Sequence, residues 1–420
     1  MCENEVKIGY KDIFKQVEYM KLIIANVINR FGDSVDAIAF TWLVYQITQS
    51  ASWSAVIYGV NMLPSVIIQP FAGALVERMK KKRIMVIADA IRGCIVVGLV
   101  ILYLTDMVNP YILMVFTFMN SSVEAFRLPA GMAFTPQLLE QKYYEFGTSL
   151  NTTLSKIVEF IGLGLAGVII AVFGVQTSII IDAITFFLSA VIISSIFVKE
   201  EKKESDKLTV SSYLATLKSG LDYVTKNPVV RNICLLMVSI NAVMVPLNTF
   251  EAPLIKEVFK QGSMLLSVLG MSTSVGMAIG SVIFPYVSKK FKVRSIIVMN
   301  GIIFGSSYLF LILVSFVTTS AVVIYPSVAV FITIFGIAIS MIVSVISVQF
   351  MKEVEQEYLS RTGAILNASG TAAVPIFSFL CTFLVKIFTL SQIFVASGTL
   401  FIILFLYIHF RKVQFEKVTE

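Results

Sequence analysis

The sequence predicts an all-α integral membrane protein, with twelve transmembrane helices in two pseudo-symmetric six-helix bundles. Composition, the spacing of apolar runs and an internal repeat carry that prediction. Of 420 residues, 57% are hydrophobic, only 14% are charged and 33 are Phe. The mean hydropathy of +0.86 lies far above that of soluble globular chains. Apolar runs of ~20 residues, enough to cross a ~30 Å hydrocarbon layer as helix, alternate with short bursts of Lys and Arg. The net charge of +7 therefore belongs to loops, not to a nucleic-acid-binding face. The four cysteines (Cys2, Cys94, Cys234 and Cys381) show neither metal-ligand spacing nor a disulfide framework.

The N-terminal stretch 1–21 carries Val6, Tyr10, Ile13, Phe14 and Val17 at near-helical spacing, which predicts a short amphipathic helix lying on the membrane. Spans follow at 19–46, 54–76, 84–105, 110–128, 147–172, 176–198, 229–250, 264–287, 295–316, 322–349, 361–386 and 391–410. An even number places both termini on one side. The loops on that side hold 26 Lys and Arg, and the opposite loops hold three: Lys256, Lys260 and Lys386. Positive charge marks the cytoplasmic face, so both termini are expected there, in a multi-pass plasma-membrane protein.

The repeat is weak but placed at mid-chain. "EQKYYEFGTSLN" at Glu140–Asn151 matches "EQEYLSRTGAILN" at Glu355–Asn367, and the basic stretch ending at Arg83 matches the one ending at Arg294. Residues 1–198 and 229–420 are thus predicted to be six-helix halves. Between them lies a polar cytoplasmic linker, 199–228, in which Leu214, Leu217, Leu221 and Val224 form the stripe of a surface helix. Paired halves suit a transporter that rocks about a central site.

Ionisable residues at membrane depth are costly, so each is a functional candidate. The first span carries Asn26, Asn29, Arg30, Asp33 and Asp36 on one stripe. Arg30 and Asp33, at i,i+3, can neutralise each other, but one Arg cannot absorb two carboxylates. Asp33, or Asp36 after it, is therefore the candidate proton carrier. The fifth span offers Asn151, Ser155 and Glu159, and Glu159 is the next candidate for proton coupling, with Lys156 as its competing structural partner. Asp89 and Arg92 are spaced to pair with each other in the third span, and Asp182 falls towards the outer end of the sixth, where it is expected to be solvated. Asn241, Asn248 and Glu251 make a polar stripe in the seventh. Asn26, Asn29, Arg30, Asn151, Ser155, Asn241 and Asn248 are the expected substrate-cavity residues.

The densest basic run, in "GALVERMKKKR" at Gly73–Arg83, follows the second span. Together with "RFGDSVDAIAFTWLVYQITQSA" (Arg30–Ala51), "GLGLAG" (Gly162–Gly167) and "SGLDYVTKNPVVR" (Ser219–Arg231), it resembles the major facilitator superfamily. The resemblance spans essentially the whole chain and is to twelve-span drug:proton antiporters of the macrolide-efflux type. The chain departs from the family pattern where Glu77 replaces an Asp of the loop signature and Leu163 a Pro of the fifth-span motif.

The resemblance implies export of a small-molecule substrate driven by the proton gradient, with no cofactor, metal or nucleic acid, by a monomer in the lipid bilayer. It also implies a cytoplasmic gating latch of Gly73, Glu77, Arg78, Arg83, Glu124 and Arg127. Lys80, Lys81 and Lys82 are expected to face anionic lipid headgroups. Siderophore or lipid export by the same superfamily fits the pattern as well. An enzyme or channel fits poorly: His409 is the only histidine, no phosphate loop is present, and nothing resembles a selectivity filter.

Overall fold

The computed structural model describes residues 10–198, 218, 221–355 and 359–416. Every regular element among them is helical. A four-residue helix α1 (Tyr10–Ile13) precedes the 32-residue α2 (Val17–Thr48), followed by α3 (Ala51–Ile67), α4 (Gln69–Arg78), α5 (Lys81–Leu104) and α6 (Pro110–Leu138). Next come α7 (Tyr144–Phe173), α8 (Val175–Ser194), α9 (Pro228–Pro253) and α10 (Met264–Ser288). The chain ends with α11 (Val293–Val317), α12 (Ala321–Glu353), α13 (Leu359–Ile387) and α14 (Leu390–Phe410).

Local chemistry sets many of these boundaries. Asn109 caps α6 by accepting from Ile112 N at 3.0 Å, and Asn227 caps α9 from Val229 N and Val230 N. Each cap precedes a proline at the first helical position, where the missing N–H costs nothing. Thr389 and Gln392 form a reciprocal capping box at the start of α14. The expected continuous second span is instead broken at Ile68, because Pro70 lacks the N–H that would bond back one turn.

Among the described residues, nine helices are long and apolar enough to cross a membrane. Their outward faces are apolar: Val172, Phe173, Val191, Leu235, Ile376, Phe383 and Ile403 are all exposed, which suits lipid and not water. Although 32 and 29 residues long, α2 and α6 fall below that hydropathy mark, since each carries ionisable residues along its length.

The chain divides into two compact units. The first contains Met1–Leu43 and Leu63–Lys207, and the second contains Val44–Met62 and Leu208–Glu420. This differs from the expected division into 1–198 and 229–420, because 44–62 group with the later sequence. In the first unit, Ile13, Tyr19, Leu22, Met85, Phe134, Ile193 and Ile196 form one buried cluster. Of the expected N-terminal surface helix, residues 1–9 lie outside the described residues; Tyr10–Ile13 is helical, its Ile13 enters that cluster, and Tyr10 meets the Phe146 ring edge-on at 5.2 Å.

In the second unit, Phe304, Tyr308, Phe335, Phe394, Phe401 and Phe405 join α11, α12 and α14 through ring contacts of 4.3–6.1 Å. Tyr308 donates to the Val243 carbonyl at 3.0 Å and so ties α9 to the cluster. Of the expected linker helix, 221–226 is helical and Val224 buried, whereas Leu214 and Leu217 lie outside the described residues.

Candidate functional site

The first unit buries a network of charged and polar side chains drawn from α2, α5, α6, α7 and α8. Two arginines organise it. Arg92, whose side chain is 5% exposed, places Nη2 3.1 Å from Asp33 Oδ1 and 3.7 Å from Glu124 Oε2. Its Nε donates to Asn120 Oδ1 at 3.2 Å, and its guanidinium lies over the Phe186 ring at 4.2 Å. Arg127 donates through Nε and Nη2 to the two oxygens of fully buried Asp89, at 2.8 and 3.5 Å. Ser189 Oγ completes the Asp89 shell at 2.7 Å. Arg127 Nη2 also donates to Asn26 Oδ1 at 3.3 Å, and Asn26 Nδ2 passes the chain to Asn151 Oδ1 at 3.3 Å. Such charge-assisted bonds strengthen in a low-dielectric interior, and the forked guanidinium suits two acceptors at once.

Close helix packing brings these groups together. A Cβ at Gly32 would overlap Thr185 Oγ1 and stand 2.7 Å from Asp182 Oδ1, so α2 lies directly against α8. Likewise, a Cβ at Gly162 would come within 2.8 Å of Ser34 Cβ and 3.2 Å of the Phe31 carbonyl, where α7 crosses α2. Small residues at such crossings let backbones approach.

Several expectations need correction. Asp33 pairs with Arg92 of α5 and not with Arg30, which is exposed one turn earlier. Asp89 and Arg92 do not pair with each other, because each reaches outward to another helix. Glu124, 39% exposed, and Arg127 join this network through Arg92 and Asp89, while the expected latch partners Glu77 and Arg78 lie outside the described side chains. Asp182 is 1% exposed and not solvated, because Gly32 lets α2 cover it; its Oδ1 has no hydrogen-bond partner among the described residues. Lys82 is not directed at headgroups: it donates to the Ile196 carbonyl at 2.7 Å, just beyond the C-terminal end of α8, where a cation is favoured.

Other predicted residues stand apart. Glu159 is held by Lys156 at 2.9 Å on α7, and Ser155 is half-buried nearby. Asn29 is buried, with Nδ2 unpartnered among the described residues. Asp36 lies within electrostatic range of Asp33 and Arg92. In the second unit, Asn241 donates to the Met237 carbonyl of its own helix, whereas Asn248 meets the Tyr58 hydroxyl. Arg83 is exposed on α5; the side chains of Gly73, Glu77 and Arg78 lie outside the described part. Among the described residues, no three His, Cys, Asp or Glu converge to hold a metal ion.

Sequence reasoning missed Arg92 as the partner of Asp33, the roles of Asn120, Phe186 and Ser189, and the burial of Asp182. The only available signal was an ionisable residue in an apolar run, which marks a residue but not its partner.

The apolar exterior, the membrane-length helices and the buried charge network define a polytopic membrane transporter fold. Residues 22–377 match the family model of the Major Facilitator Superfamily, and the chain belongs to that family. It is 23% identical over 293 residues to the uncharacterised MFS-type transporter YkuC of Bacillus subtilis, covering 67% of both chains. To the multidrug efflux pump Tap of Mycobacterium tuberculosis it is 25% identical over 241 residues, 55% of this chain and 57% of Tap. To the staphyloferrin A transporter of Staphylococcus aureus it is 22% identical, covering 66% and 69%. Among solved structures, the nucleoside transporter NupG superposes with a TM-score of 0.77 at 9% identity, over 94% of this chain and 99% of that one. A bacterial homologue of the iron transporter ferroportin gives 0.67 at 15% identity, over 93% and 98%. Both likenesses concern the fold.

Proposed function

We propose that the chain is a secondary active exporter, with twelve spans in two six-helix halves, which expels amphiphilic small molecules by alternating access in exchange for protons. One observation carries the proton coupling. Asp33, Asp36, Asp89, Glu124 and Asp182 gather in one region of the first unit, Asp89 and Asp182 buried, against three arginines, Arg92, Arg127 and the exposed Arg30. A low-dielectric surrounding disfavours more carboxylates than cations, and bound protons relieve the excess. Asp33 is the carrier in this reading. Protonation of Asp33 releases Arg92, whose remaining partners Glu124 and Asn120 can then hold it alone. Deprotonation restores the pair, so the two states differ by one ion pair that bridges α2 and α5.

The resemblance to Tap supports efflux of drug-like compounds. The similarity to the staphyloferrin A transporter favours a second reading, export of a siderophore, through the same proton site. Neither relative is an enzyme by name, and catalysis forms no part of the proposal.

The test is uptake by proteoliposomes under an imposed pH gradient, with a fluorescent amphiphilic cation as substrate. Accumulation should follow the gradient and vanish when a protonophore collapses it. Accumulation that persists after collapse would remove proton coupling.

A further inference from the structure

The basic run after α4 divides its labour. Lys82 caps the end of α8, whereas Lys80 and Arg83 are exposed at the mouth of a groove of about 1060 Å³ within the first unit. Leu75, Ile84, Ile87, Ile91, Val123 and Phe126 of α4, α5 and α6 supply its apolar walls. Leu75, Ile87 and Ile91 are each more than 40% exposed, so the groove opens on the outer surface of the helices. From Arg83 to Ile91 is ~12 Å along α5, close to the ~15 Å depth of one hydrocarbon leaflet.

We infer that this groove binds an anionic glycerophospholipid of the adjacent leaflet, with its phosphate on Lys80 and Arg83 and an acyl chain along Ile84, Ile87 and Ile91. Charge complementarity and depth both select this occupant. The cations stand at one end only, where a headgroup lies. The wall beyond them is apolar for about one leaflet, where a chain would end. A second apolar helix would leave the two charges without a counter-ion, and in a zwitterionic lipid the headgroup's own cation would offset the attraction of its phosphate to them.

The inference is independent of what the protein exports. Its test uses the purified full chain in nanodiscs of 1:9 phosphatidylglycerol to phosphatidylcholine, with bound lipid counted by native mass spectrometry after release. Phosphatidylglycerol should be retained in preference to phosphatidylcholine. Lys80→Gln with Arg83→Gln should weaken its retention about thirtyfold, two surface cations each contributing about fivefold to the attraction for anionic lipid. Ile87→Trp, which fills the groove without altering charge, should lower retention too. Lys289→Gln with Lys290→Gln, basic residues at the end of α10, should leave it unchanged.

Equal retention of the two lipids would overturn the inference. So would loss with Ile87→Trp but not with the charge variant, because the groove would then take an apolar molecule regardless of charge. Loss with the charge variant but not with Ile87→Trp would reduce the site to a surface charge effect and overturn it equally.

Discussion

At the scale of single residues, the account rests on who pairs with whom. Asp89 is fully buried and depends on Arg127 and Ser189. Removing one partner of a buried ion pair costs about 3–5 kcal/mol, because the other charge is left unpaired. Arg127→Leu should therefore lower the thermal unfolding temperature of the detergent-purified protein clearly. Combining it with Asp89→Leu should restore part of the loss. An unchanged melting curve for Arg127→Leu would mean that the pair is not a structural one. Asp33 differs in that its side chain is 25% exposed and its partner Arg92 has alternatives in Glu124 and Asn120. Asp33→Asn should thus fold with little loss of stability. The sequence marked Asp33, Asp89, Arg92 and Arg127 as costly residues in apolar runs, but assigned two of the partners wrongly. Spacing along one helix ranks only local pairs, and these arginines reach between helices.

At the scale of elements, the helices were legible because apolar runs and caps are local signals. Asn109-Pro110 and Asn227-Pro228 start α6 and α9 within a residue of the expected positions. What was not legible is packing that depends on two distant helices. Gly276 of α10 and Gly336 of α12 face each other so closely that a Cβ at Gly336 would stand 2.5 Å from the Thr273 carbonyl, and one at Gly276 would overlap that of Thr333. Gly276→Val should force the helices apart and destabilise the protein by ~1–3 kcal/mol, as overpacking does. The measurement is again the melting temperature, and wild-type stability would contradict such close packing. The loop 73–83 carries a separate proposal, that Glu77 and Arg78 set the balance of conformations. Glu77→Ala and Arg78→Ala should then impair transport at normal membrane expression. Normal efflux in both would leave the loop as a topology signal only.

At the scale of the whole molecule, composition and apolar runs pointed to a polytopic membrane protein and the motif resemblance to the superfamily, and the family match over residues 22–377 agrees. The division of the chain at Leu43 and Met62 was invisible, since nothing in the periodicity of α2 or α3 says which neighbours each end will meet. The substrate is equally silent in the sequence, because the apolar side chains that line most small-molecule pockets form no sequence motif. The central claim is that Asp33, paired with Arg92, carries the coupled proton. The most direct measurement is pH-gradient-driven uptake of a fluorescent amphiphilic cation by reconstituted Asp33→Asn, beside Glu159→Gln. Asp33→Asn should abolish accumulation against the gradient while retaining substrate binding, since the amide mimics the protonated acid; Glu159→Gln, already neutralised by Lys156, should still accumulate. If Asp33→Asn concentrates substrate and Glu159→Gln does not, the proton site lies on α7 and the assignment to Asp33 is wrong.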